Sequence, residues 1–173
     1  MIFETARLAV RDLRDSDFEA FHEMQSDDEV MRYTTGHGFD EAENRRQLID
    51  CIERYSVTDN DFWVWAIVRT EDDAFVGTCA IVPSDEGPEI GYRFLRKYFG
   101  NGYGQEICDG LVRYGIDERG LPRLVAFVDV RNVPSVKILD RSRLAFVAEV
   151  TNEEGLADRF YRCDSLSPAR DGE

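Results

Sequence analysis

Lysine is nearly absent from this chain. Lys97 and Lys137 are the only two, and arginine supplies the rest of 21 basic residues against 35 acidic ones, for a formal charge of −14. A surface this negative repels phosphate backbones and argues against nucleic-acid partners, while it attracts cations and aids solubility. Long apolar runs are missing too. None approaches the ~20 residues that a bilayer-spanning helix needs, and charges interrupt MIFETARLAVRDL where a secretion signal needs an unbroken apolar core. The expectation is a cytoplasmic protein with no membrane partner. Histidine is limited to His22 and His37, and Cys51, Cys79, Cys108 and Cys163 form no CxxC pair. A metal site or a disulfide framework is disfavoured, which leaves buried reduced thiols as the expectation.

What is present suits a folded α/β chain. The 173 residues, 43% of them hydrophobic, fit one domain over residues 1–173 with its own core. Leu8-Ala9-Val10-Arg11 reads as a first strand. Asp15-Ser16-Asp17 offers caps for a helix carrying Phe18, Phe21 and Met24, and Asp40 caps a second helix through Leu48, Ile49 and Ile52. The period then changes. Phe62–Val68 and Phe75–Val82 read as a hairpin around Glu71-Asp72-Asp73, and Glu89–Leu95 reads as a third strand of that group. Ile107, Leu111 and Tyr114 recur at helical spacing until Gly120 and Pro122. Leu124–Val130 is a further strand, Asn132 caps a helix with Pro134 in its first turn, and Phe146–Val150 and Arg159–Cys163 are the last strands. The tail from about residue 165, rich in Ser, Asp, Gly and Pro, is expected to fray. Trp63 and Trp65 are expected on opposite faces of their strand, one in the core and one over a helix or a cleft. His22 reads as a packing or surface residue, and His37, between Gly36 and Gly38, as part of a mobile loop.

Between the third strand and the following helix stands YFGNGYGQE, residues 98–106, with glycine at 100, 102 and 104. Glycine loses more backbone freedom on folding than other residues, so three in five positions imply a use. Strand, glycine turn, helix is the layout of an anion cradle, in which free N–H groups and the helix dipole face a negative ligand. A triphosphate loop needs Gly-Lys-Ser/Thr, whereas Gly104 is followed by Gln105-Glu106. A dinucleotide turn needs glycine where Gln105 stands.

A third layout fits. The order strand, RKYFGNGYGQE, helix, strand and Asn132-x-x-Ser135 resembles the acetyl-CoA-binding region of the GNAT superfamily of N-acetyltransferases. The family's Arg/Gln-x-x-Gly-x-Gly/Ala signature falls on Phe99–Gly104, and Leu144-Ala145-Phe146 resembles its Leu-Gly-Phe. Glu4–Arg11 and Ile90-Gly91-Tyr92 resemble the RimL-like branch, which acetylates ribosomal-protein N-termini. The resemblance implies a mixed, mostly antiparallel sheet of about six or seven strands with helices on both faces. It implies acetyl-CoA as donor without a metal, and direct attack by a primary amine, either a protein N-terminus or a small cationic amine such as a polyamine or aminoglycoside. The enzyme would act as a monomer or homodimer.

The implied roles fall on Phe99, Gly100, Asn101, Gly102, Tyr103 and Gly104 for the pyrophosphate, and on the main chain of Phe94 and Leu95 for the pantetheine slot. Asn132 would contact the pantetheine arm, besides capping its helix, and Ser135 would lie near the sulfur. A main-chain N–H of the Glu89–Leu95 strand would serve the oxyanion, Glu89 acting through water would be the base, and Ser135 or Tyr161 the acid. Three residues depart from the family pattern: Phe99 for Arg or Gln, Ala145 for Gly, and Arg141 at the helix position where many members carry a tyrosine. Phe99 and Arg141 keep open a non-catalytic acyl-CoA-binding or sensing domain, and a nucleotide-binding module stands behind it.

Overall fold

A computed structural model describes residues 1–165. Of the tail expected to fray, Ser165 donates its N–H to the Pro122 carbonyl at 2.9 Å, and residues 166–173 lie outside the described residues. Eight strands form one sheet: β1 (Phe3–Glu4), β2 (Leu8–Asp12), β3 (Trp63–Arg69), β4 (Phe75–Val82), β5 (Glu89–Phe94), β6 (Arg123–Asp129), β7 (Ala145–Thr151) and β8 (Ala157–Asp164). Their order is β1-β2-β3-β4-β5-β6-β8-β7, antiparallel throughout except between β5 and β6. The mixed, mostly antiparallel sheet is as expected, with one strand more. The addition is the two-residue β1, too short to leave a periodic signature.

Five helices cover the sheet: α1 (Phe18–Gln25), α2 (Asp28–Met31), α3 (Glu41–Arg54), α4 (Tyr103–Val112) and α5 (Val133–Leu139). Asp40 caps α3 by accepting the Glu43 N–H at 2.8 Å. Asn132 caps α5 by accepting from Ser135 N–H at 3.3 Å. One turn of helix, α2, has no periodicity of its own. It is held by the Asp27 cap and by Met31, which is fully buried.

The two faces of the sheet carry separate cores. Leu13, Phe18, Phe21, Met24, Leu48 and Ala66 pack α1 and α3 on one side. Ile90, Phe94, Ile107, Leu111, Ala126, Leu139 and Tyr161 join α4 and α5 to the other. Trp63 and Trp65 both lie on the α4 side, their rings stacked at 5.9 Å. The expectation of opposite faces is corrected: residues two apart in a strand share a face. His22 stacks on Phe18 at 5.8 Å and meets Asn44 Nδ2 at 2.9 Å, a packing role. Cys79, Cys108 and Cys163 are buried thiols, whereas Cys51 is half-buried on α3. No helix among the described residues is long and apolar enough to cross a membrane.

Candidate active site

The sheet opens at its one parallel junction. β5 and β6 pair only at Glu89↔Val125, where Val125 donates its N–H to the Pro88 carbonyl at 2.9 Å. Beyond that rung no ladder joins the two strands, which leaves a gap on the way to the glycine turn and the start of α5. On its other edge β5 is fully paired with β4, from Val82↔Glu89 to Gly77↔Phe94. The Leu95 N–H is donated to the Val76 carbonyl, so by antiparallel alternation the N–H and C=O groups of Tyr92 and Phe94 turn away from β4, into the gap. Leu95 is placed differently from Phe94. Its N–H is given to Val76 and its carbonyl accepts from Tyr98, so its main chain is already engaged within the protein.

The glycines of the turn divide the work. Gly100 and Gly102 have φ of +76° and +79°, a region costly for residues with a Cβ. Open space surrounds the place where a Gly100 side chain would stand. Gly102 is the N-cap of α4, whose first internal bond runs from the Glu106 N–H to the Gly102 carbonyl. The N–H groups of Tyr103, Gly104 and Gln105 are therefore free at the positive end of the helix dipole. Gly104 serves another need: a Cβ there would stand 2.6 Å from Ile138 Cδ1, so its absence lets α4 and α5 approach. The turn fits a pyrophosphate through main-chain groups, with Phe99 exposed where the family pattern has Arg or Gln.

A residue missed at the sequence level braces this turn. Arg7, between β1 and β2, donates from Nη1 to the Asn101 carbonyl at 3.0 Å and from Nε to Glu106 Oε2 at 2.8 Å, with its guanidinium 4.8 Å over the Tyr103 ring. Thr5 and the Arg7 N–H donate to Glu106 Oε1 at 2.6 and 2.7 Å. Burial opposes the Glu106 charge, but the Thr5 and Arg7 donors outweigh it and hold the carboxyl below its ordinary value. The signal for this brace lay in the opening segment, but only long-range folding pairs residue 7 with residue 106.

Residues for chemistry lie on both faces of β5. Ser135, in the first turn of α5, adjoins the Tyr92 hydroxyl, whose pKa burial raises. Tyr92 was not singled out in the sequence, since nothing there told which strand residue would sit under α5. Tyr161 is fully buried, and its hydroxyl donates to Asp140 Oδ1 at 2.7 Å, past the far end of α5 from Ser135. Burial first, and then that bond, raises its pKa. The first acid and the partner of the second are thus five residues of helix apart, about 7.5 Å along its axis. Arg141 is not on the helix: α5 ends at Leu139 with Asp140 as its cap, because the hydrogen-bond ladder stops there, so the helix position assigned to Arg141 is corrected. On the opposite face of β5, Glu89 is half-buried, and burial, then Asp158, push its carboxyl above the ordinary value. Asp158 is raised by burial and by Asp129 and Glu154. Phe127 and Phe160 stack at 4.8 Å on the same face of β6 and β8.

An acetyltransferase (GNAT) domain model matches residues 7–144. The uncharacterized N-acetyltransferase YoaA of Bacillus subtilis (strain 168) is 32% identical over 143 residues, 80% of this chain and 79% of the relative. Among solved structures, the RimL ribosomal L7/L12 alpha-N-protein acetyltransferase in complex with coenzyme A superposes with a TM-score of 0.80 at 14% identity, covering 95% of this chain and 97% of the other. The spermidine N-acetyltransferase of Vibrio cholerae, in complex with CoA and spermine, superposes with a TM-score of 0.76 at 13% identity, covering 91% and 95%.

Proposed function

The chain belongs to the acetyltransferase (GNAT) family and is an acetyltransferase, and on that premise we propose that it transfers the acetyl group of acetyl-CoA to a primary amine by direct attack. The observation that carries this reading is the gap between β5 and β6, which opens from Glu89↔Val125 toward the free N–H groups at the start of α4. Acetyl-CoA supplies the activated acyl group, and the chain's own residues hold and orient it. The amides of Gly100–Gly104 take the pyrophosphate, braced through Arg7, and the Phe94 main chain lines the pantetheine arm with Asn132 beside it. A gap-facing N–H of β5 stabilises the developing oxyanion. Glu89, with its raised pKa, accepts through water the proton that the acceptor ammonium gives up, and the neutral amine so formed attacks the thioester carbonyl. Ser135, backed by the Tyr92 hydroxyl, is the preferred proton donor to the leaving thiolate. The Tyr161 hydroxyl is already committed to Asp140.

Two observations bear on the acceptor. The opening segment resembles the RimL-like branch, which favours a protein α-amine, and a RimL is among the neighbours in fold. The carboxyls of Glu89 and Asp158, both raised by burial and by neighbouring acids, also suit a small cationic amine. The test is thiol release from acetyl-CoA in the presence of N-terminal peptides and of diamines. Amine-dependent release supports the reading. Tight acetyl-CoA binding with no amine acetylated would make the chain a binding domain instead.

A further inference from the structure

Glu89, Gly91 and Arg93 share the face of β5 turned toward α1, α2 and α3. Arg93 is the deepest charge there. Its Nη1 donates to Gln25 Oε1 of α1 and lies 3.8 Å from the Met31 sulfur of α2, and Gln25 in turn donates to Gln47 of α3 at 2.8 Å. Burial pulls its pKa down, and among the described residues no carboxylate faces it. That is unusual in this chain. Arg11, another half-buried arginine, is held by both oxygens of Asp17 at 2.8 Å. The Nε and Nη2 groups of Arg93 have no acceptor among the described residues, yet they are not sealed from solvent. Three N–H donors of a guanidinium with its stem in the core are left open to a ligand that can enter from solvent.

Beside it the face is open. Nothing lies within 4 Å of where a Cβ of Gly91 would stand. Glu89, beyond that opening, forms no ion pair among the described residues, and its neighbouring charge is another acid, Asp158. One end of the patch lacks a cation and the other lacks an anion. The Cα atoms of the two ends are four strand steps apart, about 13 Å.

We propose that the acceptor amine carries a carboxylate, which the free donors of Arg93 bind while the amine lies toward Glu89. This rests on the amine-acetylation reading and gives it a substrate class. An α-amino acid holds its two charges only one carbon apart, the poorest match to two separated ends. An ω-amino acid, or a peptide N-terminus followed by an acidic side chain, has the length. The carboxylate is the shared chemistry of these two sources.

The experiment compares acceptors of matched length: pentylamine, 1,5-diaminopentane and 5-aminopentanoate, and the peptide amides Ala-Glu and Ala-Gln. Thiol release is followed with the wild type, Arg93→Lys and Arg93→Gln. The expected result is a kcat/KM ratio of carboxylate to neutral acceptor of about tenfold or more in one pair, carried by KM, which identifies the source. Arg93→Gln should bring that ratio to about one, while Arg93→Lys keeps part of it. A wild-type ratio near one, or a preference for the diamine, overturns the proposal. So does an equal loss on every acceptor in Arg93→Gln with a lowered Tm, which would make Arg93 a tether for α1 and α2. If acetyl-CoA binds but no acceptor turns over, amine transfer itself fails. Calorimetry of 5-aminopentanoate and Ala-Glu amide against the CoA-bound protein then decides the present point, and no binding overturns it.

Discussion

The two faces of β5 are built on opposite principles. Under α4 and α5, Ile90, Tyr92 and Phe94 are packed against an apolar core, the Tyr92 hydroxyl adjoins Ser135, and the nearby ion pair Arg7–Glu106 is closed at 2.8 Å. Toward α1–α3, among the described residues Glu89 pairs with no cation, Arg93 pairs with no anion, and Gly91 leaves space between them. Packing can hold a donor whose shape is constant, whereas selecting an acceptor needs charge left unsatisfied until the acceptor arrives. On the proposed reading, stability and selectivity are thus assigned to different faces of one strand.

Breaking the packed side should give the largest effect. Gly102→Glu places a side chain at φ +79° and a negative charge at the free N–H groups of α4. Calorimetry should find acetyl-CoA affinity reduced by at least about a hundredfold, the sum of backbone strain and charge repulsion. Unchanged affinity would mean that the turn is only architecture.

The open side is tested by Glu89→Gln. Loss of a general base should lower kcat about a hundredfold. Because the folded-state pKa of Glu89 is raised, wild-type activity should fall with decreasing pH earlier than an ordinary carboxylate would dictate, and the variant should lose that limb. Stability should move the other way. A buried carboxyl with a raised pKa is a burden on the folded state above that pKa, so Glu89→Gln should melt at or above the wild type at neutral pH. The advantage should vanish as pH falls below the unfolded carboxylate value. A lower Tm at neutral pH would show that Glu89 has a partner that stabilises its charge.

Arg7→Met removes the brace without touching the turn itself. Acetyl-CoA binding should weaken about tenfold, about 1.4 kcal/mol, through Asn101 and the loss of counter-charge at Glu106. Smallest of all, Ser135→Ala and Tyr92→Phe should each lower kcat a few-fold, and the double variant should lose little more than either one. Additive losses would separate the two hydroxyls.

Much of this was legible in the letters. The order of strands and helices, the caps at Asp40 and Asn132 and the placing of the glycine turn at a helix start follow from local periodicity and backbone chemistry. The two tryptophans went wrong through period alone, since residues 63 and 65 must share a face. The separate task of Gly104, closeness to Ile138, could not be seen, because one chain of letters does not say which helix will lie beside another. Tyr92 and Arg7 were missed for the same reason: each acts through a residue more than forty positions away.

What the sequence determined by itself was therefore short-range: alternation, capping, the positive-φ turn and the excess of acid over base. Each depends on neighbours within a few bonds. The tertiary structure alone decided which charges would find partners. Arg7 met Glu106 and Arg11 met Asp17, while Arg93 was buried with glutamine and methionine and left three donors free. Burial sets the cost of an unpaired charge, and burial is a property of the folded whole.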